Sequence, residues 1–394
     1  MYHILNEPQG TRINFLKSLY IFLVCIYAFI SLKPFYIWKN ERLFIFGAAA
    51  LFLVAILMYL LKNKRKIDNN MIWFYVTTLL LVIPYALTND ILSYKGTFLV
   101  FFLPILCFIK KTDWIKLYRC FSVILAISYI PGILAFFIVL LGINLNMSTI
   151  VHPNGRMYFE LLGSIFWITD YGFLLRLHGM FYEPGVVGTF SALILIADNV
   201  NLRKHINKIH LIAGLCSIST TFLILILFYF GIKKRKSFLI LSVFLATLIY
   251  IVPQNTDLGV ALKYNFIEKM PFSEHDNRTT ESFDYKYYQF MDKMTIKEMF
   301  FGIGRSSYEE NFSGDLSYTW KQEVIMHGWI YFIFLIIYMF LHAFRTKNSD
   351  AKLFALVFVL SLYQRPDIIN ISYFLVFFGG LYSISHKKEG QIIY

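Results

Sequence analysis

Arg176-Leu-His-Gly-Met-Phe-Tyr-Glu-Pro-Gly-Val-Val-Gly188 is the stretch on which the reading of this chain turns. It sets a cation, an imidazole and a carboxylate immediately before an apolar segment, Val186 to Ala197. Pro184 and Gly185 mark the boundary, because proline suits the first turn of a helix and biases the residue before it toward extended backbone. Arg176, His178 and Glu183 are therefore expected in a loop over the positive, N-terminal end of that helix, a place that suits an anionic group. In an apolar chain, ionisable groups gather at such a boundary either to fix the loop, here as an Arg176–Glu183 pair, or to bind something.

Working outward, composition sets the class. Hydrophobic residues make up 58% of the 394, aromatics 19% and charged residues 15%, and the mean hydropathy is +0.59. Those values describe an all-α polytopic membrane protein rather than a soluble globule. The net charge of +13 is carried by short Lys/Arg blocks between apolar runs, the pattern of topology signals and not of a nucleic-acid partner. Cys25, Cys107, Cys120 and Cys216 lie in or beside apolar segments without a CxxC spacing, so they read as packing residues. A polar start, Met1 to Asn14, precedes an apolar run too long for a signal-peptide core, which is expected as a retained first helix.

Apolar runs near spanning length fall at 15–32, 43–61, 71–87, 96–109, 119–142, 184–198, 237–252, 324–343, 353–363 and 368–385. A further run, His210 to Phe230, decides the topology. As one crossing it would put Lys233-Lys234-Arg235-Lys236 opposite the blocks at Lys62–Lys66, Lys110–Arg119 and Arg203–Lys208. As a hairpin broken at Ser217-Ile-Ser-Thr-Thr221 it keeps them on one face, as the positive-inside rule prefers. Hydroxyls at the break are expected to satisfy the freed backbone groups. The chain is thus expected to be a single integral membrane domain, 1–394, with about 11–12 membrane segments and both termini cytoplasmic.

Two stretches do not read as membrane: 143–183 and 253–323, both placed on the external face. Within the first, the aromatic-rich Tyr158 to Leu177 is expected along the interface. Within the second, Glu281 to Phe300 has the spacing of an amphipathic helix. Loops of this length in a compact protein usually carry function. No internal repeat or soluble domain is evident, and no Walker A, GxGxxG, HExxH, clustered Cys/His or nucleophile-elbow pattern occurs.

The external arginines remain: Arg156, Arg176, Arg278, Arg305 and Arg365. Their guanidinium forks match phosphate oxygens and stay charged at any relevant pH. Each has a bland alternative: Arg365 pairing with Asp367, and Arg156, Arg278 and Arg305 as solvated loop charges. Glu183, Glu323 and His327 are general-base candidates if they face the arginines, with surface capping and helix-end packing as alternatives.

In order along the chain stand Arg176 with Gly179 and Glu183-Pro-Gly185, the Ser217-Ile-Ser-Thr220 break, Asn277-Arg278 before an amphipathic helix, Phe301-Gly-Ile-Gly304, His327-Gly328 and Gln364-Arg365-Pro366. This series resembles the bacterial O-antigen and capsular polysaccharide polymerases of the Wzy type, relatives of the O-antigen ligases. The resemblance implies a GT-C-like glycosyltransferase without metal or other cofactor, in the bacterial cytoplasmic membrane. It would join undecaprenyl-diphosphate-linked glycan donor and acceptor at the outer face, within the lipid bilayer and beside a chain-length regulator. Arg176, Arg278, Glu183 and His327 are then expected to be catalytic. Arg365, His178, Arg305 and Glu323 are expected to contact substrate. Two alternatives stay open. The ligases rely on a loop histidine, for which His275 and His327 are candidates. A flippase or transporter would instead place charges inside the spans.

Overall fold

The structure is a computed structural model, describing residues 9–62, 69–86, 103–143, 148–152, 155–169, 172–173, 175–252, 256, 259, 281–312, 320–363 and 370–388. Arg278, Arg365 and His275 lie outside the described residues, as do the first part of the run at 96–109 and much of 253–280.

The described chain is mostly helical. Helices α1 (Gln9–Ile30), α2 (Glu41–Lys62), α3 (Asn69–Ala86) and α4 (Lys111–Leu140) precede the first loop. Then come α5 (Pro184–Ala197), α6 (His205–Cys216), α7 (Thr220–Lys233) and α8 (Arg235–Ile251). After the second loop follow α12 (Trp320–Arg345), α13 (Ser349–Leu362) and α14 (Ile371–Lys388). The loop itself supplies α9 (Glu281–Lys293), α10 (Ile296–Phe301) and α11 (Gly304–Asn311).

Among the described residues, three stretches are long and apolar enough to cross a membrane: Phe35–Leu60, Lys111–Leu140 and Trp320–Arg345. Large apolar side chains such as Leu43, Phe46, Ile127, Leu134 and Ile240 stay exposed on α2, α4 and α8, as bilayer-facing positions do.

The bundle is built around α5. Every residue of this helix except Val186 is buried, which fits a sequence apolar all the way round. It packs on α6, α7, α13 and α14. Lipid is as apolar as leucine, so close contact through small residues replaces hydrophobic drive here. Gly188 provides that contact: a Cβ on it would stand 2.6 Å from Ser219 Oγ.

The run His210 to Phe230 breaks at Ser217–Ser219, where Ile218 has φ 45°. At the far ends, Lys204 Nζ and Asn207 Nδ2 donate to Asp198 Oδ2 at 2.7 and 3.2 Å, while Tyr229 Oη donates to Asn199 Oδ1 at 3.1 Å. The start of α6 and the end of α7 therefore both meet the C-terminal end of α5, and the break meets its N-terminal half. The two helices fold back on each other. Lys233 also pairs with Asp350 at the start of α13, so the basic loops gather at one end of the bundle.

At the other end, Ser31 Oγ donates to Asn370 Oδ1 (2.6 Å) and Phe35 N donates to Met180 O (2.8 Å). Here Tyr158 to Leu177 departs from the interfacial stretch expected of it. An antiparallel sheet in the order β1 (Ser148–Val151), β2 (Met157–Leu161), β3 (Ser164–Thr169) and β4 (Gly172–Phe173) forms, with Tyr158 opposite Trp167 and Phe159 opposite Phe166. The reason is local. Two runs rich in aromatic and β-branched residues flank Leu162-Gly163, both at positive φ, which is a two-residue hairpin turn.

The amphipathic helix expected through Phe300 stops at Lys293. Thr295 starts a new helix through a capping box with Glu298, whose carboxyl is held below its usual range by the backbone N–H of Thr295. Phe283, Tyr287, Tyr308 and Phe312 form a small separate core with Ile325 and Met326, so this loop caps the start of α12.

Candidate functional site

The segment from Leu175 to Glu183 is pinned between the broken hairpin and the sheet. Leu177 N donates to Cys216 O at 2.9 Å, closing the open carbonyl end of α6. Arg176 Nε donates to Ser217 O and Nη2 to Ile218 O, both at 3.3 Å. The groups freed at the break are thus met by a guanidinium and a backbone N–H. Ser217 Oγ bonds back to Gly214 O (2.6 Å), and Ser219 makes no side-chain cap. On the sheet side, Ile165 N (2.9 Å) and Ser164 Oγ (3.1 Å) donate to Gly179 O.

His178 is buried behind this loop. Its Nδ1–H donates to Tyr182 O at 3.1 Å, which leaves the lone pair on Nε2, a buried atom without a hydrogen-bond partner among the described residues. Burial pulls the imidazole down to about 3, and the Arg176 and Arg156 guanidinium groups act in the same direction. At neutral pH it is a neutral acceptor.

Arg156 faces outward, half-buried, with its guanidinium carbon 5.3 Å from both the Trp167 and the Tyr182 ring centroids. Trp38 and His152 complete this aromatic wall, their rings 4.3 Å apart and His152 also 4.3 Å from Tyr182. Burial and then Tyr182 raise the Tyr158 phenol, Arg156 lowers it and Glu183 raises it, so the four groups share one electrostatic neighbourhood. Glu183 is half-buried in the N-cap position of α5 and makes no side-chain cap.

The loop therefore sets Arg176 and Arg156 near His178, and Arg156 and Glu183 near Tyr158. Of the other expected residues, Arg278 and Arg365 fall outside the described ones, and Glu323, His327 and Arg305 lie on other elements. Glu323 and His327 are buried on the first turns of α12, Oε2 to Nε2 3.8 Å, with the His327 ring stacked 4.4 Å from Tyr85. Arg305 is exposed on α11 and pairs with Glu309 at 2.7 Å. Gly302 and Gly328 cross at close range: a Cβ on Gly328 would run into Phe300 O, and one on Gly302 into Met326 O.

Arg156 is the residue that reading the sequence underrates. Its signal was the hairpin just after it, which turns a loop charge into one held on an aromatic face. Chemically, the site offers a fork for phosphate oxygens, ring faces on which a sugar can stack, and a carboxylate nearby to take a proton. No group of three or more His, Cys, Asp or Glu side chains that could hold a metal occurs among the described residues. No protein-family model, curated protein or solved structure matches the chain.

Proposed function

We propose that this protein polymerises undecaprenyl-diphosphate-linked oligosaccharide repeat units into a surface polysaccharide, O-antigen or capsule, at the outer face of a bacterial cytoplasmic membrane. One observation carries the reading. Arg156 is held between Trp167 and Tyr182, and it and Glu183, the N-cap of the buried helix α5, both act on the Tyr158 phenol. A lipid-linked sugar diphosphate has the matching chemistry: an anionic leaving group, a ring to stack, and a lipid tail that stays in the bilayer.

Breaking the sugar–diphosphate bond builds negative charge on the departing phosphate. A guanidinium already positioned there stabilises that charge more in the transition state than in the ground state. Glu183 accepts the proton of the attacking acceptor hydroxyl. Arg278 and Arg365, outside the described residues, would add positive charge to the same reaction.

The test is deletion of the gene in its own host, with the surface polysaccharide and the lipid-carrier intermediates resolved side by side. Loss of the long ladder, with single repeat units still reaching the surface, is the expected result. Full-length polymer accumulating on the carrier would assign a ligase instead. Repeat units trapped on the inner side would assign a flippase. An unchanged pattern in both fractions would sink the polysaccharide reading.

A further inference from the structure

Two of the four cysteines meet inside the bundle. Cys25, on α1, is fully buried, and Cys120, on α4, is half-buried; both are free thiols. Cys25 Sγ donates to Leu117 O at 3.3 Å, three residues before Cys120 and on the same face of α4. Across that contact each thiol acts directly on the ionisation of the other. Cys120 also borders the outward face of α4, where Ile127, two turns further on, is 61% exposed. One sulfur of the pair can thus be reached from the bilayer, and the other is held behind it. That is the order of an attacking and a resolving cysteine. Cys107 and Cys216 lie on other elements, the turn Leu106–Phe108 and the end of α6.

We propose that Cys25 and Cys120 are an oxidation site, at which an organic hydroperoxide of the lipid phase is reduced and a disulfide ties α1 to α4. The Cys120 sulfur attacks one peroxide oxygen as the O–O bond breaks, giving a sulfenic acid, and its thiol proton leaves on the alcohol formed. The Cys25 sulfur then attacks the Cys120 sulfur. The S–S bond forms, the S–O bond breaks, and hydroxide leaves with the Cys25 proton as water. Two thiols lose two electrons, and one hydroperoxide gains them. Burial of Cys25 shields the product from soluble thiols, whose access limits exchange. The disulfide would also stiffen a support of the arginine loop, because Ser31, directly after α1, bonds Asn370, and Phe35 N donates to Met180 O. The pair does not depend on the reaction proposed at that loop.

The full-length protein, purified in a neutral maltoside detergent, is exposed to cumene hydroperoxide or to hydrogen peroxide. It is then alkylated, digested and read by mass spectrometry, beside a melting curve. The expected product is a peptide of α1 joined to one of α4 through Cys25 and Cys120, formed faster with cumene hydroperoxide and reversed by dithiothreitol. Because the bond closes a long loop, the melting temperature should rise by roughly 5 °C. Cys120→Ser should abolish the bridge and leave Cys25 reduced. Cys25→Ala should stop the reaction at a Cys120 sulfenic acid, which dimedone traps, and provides a second variant if the first is unstable. Equal rates with the two peroxides would keep the pair and assign its oxidant to the aqueous phase. Both thiols still open to alkylation after either peroxide, or bridges through Cys107 or Cys216 in place of this one, would overturn the proposal.

Discussion

Arg176 Nη2 lies 3.3 Å from the carbonyl oxygen of Ile218, the residue that bends the α6–α7 hairpin in a left-handed conformation with φ 45°. A β-branched residue there is strained. The guanidinium holds it by meeting two carbonyls that neither helix can satisfy and that lipid cannot solvate. Arg176 is thus a structural clamp on the hairpin, whatever it adds at the loop surface.

Arg176→Ala should therefore lower stability before it touches catalysis. Removing two charge-assisted hydrogen bonds and leaving buried carbonyls should cost about 2–4 kcal/mol. Arg176→Lys keeps the charge but reaches fewer carbonyls, so its loss should be smaller. Melting of the detergent-solubilised protein, beside membrane abundance, checks this. Wild-type melting in Arg176→Ala would refute the clamp.

Gly328 has φ 79° and packs against the carbonyl of Phe300, so Gly328→Ala meets both a disfavoured backbone and a clash. A loss on the order of 3 kcal/mol or more is expected. Gly47 supplies the contrast. It lies within α2, with nothing within 4 Å of its Cβ position, so Gly47→Ala should be neutral or stabilise by about 0.5–1 kcal/mol. Melting curves of the two variants separate these outcomes; equal effects would mean that the Gly302–Gly328 crossing is not tight.

The apolar helices α1, α2, α3 and α5 and the break at Ser217 were legible, because long apolar runs and a polar interruption both leave marks in composition. The sheet was not read because its rings also fit an interfacial belt, and only the turn at Leu162-Gly163 tells the two apart. Arg156 was lost with it. The inward role of Arg176 was hidden for a different reason: its partners are backbone carbonyls, which carry no residue identity. The small core of the second loop escaped because Thr295, an N-cap, sits within a pattern that otherwise continues at helical spacing.

Arg156→Ala should separate function from folding. Its guanidinium is half-buried and held by ring faces, which contribute about 0.5–2 kcal/mol, so abundance should change little. Loss of a transition-state charge partner should reduce polymer formation by roughly 100-fold. A normal polysaccharide ladder in that variant would remove Arg156 from the site.

His178 makes stability depend on pH in a defined direction. Its folded pKa, about 3, lies below the ordinary value of 6.5, so the unfolded chain takes up a proton more readily. The contribution of the neutral ring is complete above pH 6.5 and is lost as pH falls from there toward 3. His178→Gln should flatten that limb of the melting-temperature profile while leaving the neutral region nearly level. An unchanged acid slope would show that the folded imidazole titrates where the unfolded one does.

The folded-back hairpin sets both of its outer ends at one end of the bundle. Arg203 and Lys234 are both exposed beside the C-terminal end of α5, Lys234 donating to Asn199 O at 3.2 Å, whereas Leu162 is exposed at the tip of the hairpin turn at the opposite end. The positive-inside rule puts the first pair in the cytoplasm. Arg203→Cys and Lys234→Cys should then resist an impermeant maleimide on intact cells and react once the membrane is opened, while Leu162→Cys reacts at once. A single crossing through His210 to Phe230 would instead put Arg203 and Lys234 on opposite sides. Unlike labelling of those two positions would therefore overturn the hairpin, and reversed labelling of all three would invert the protein and move the arginine loop away from any outer-face substrate.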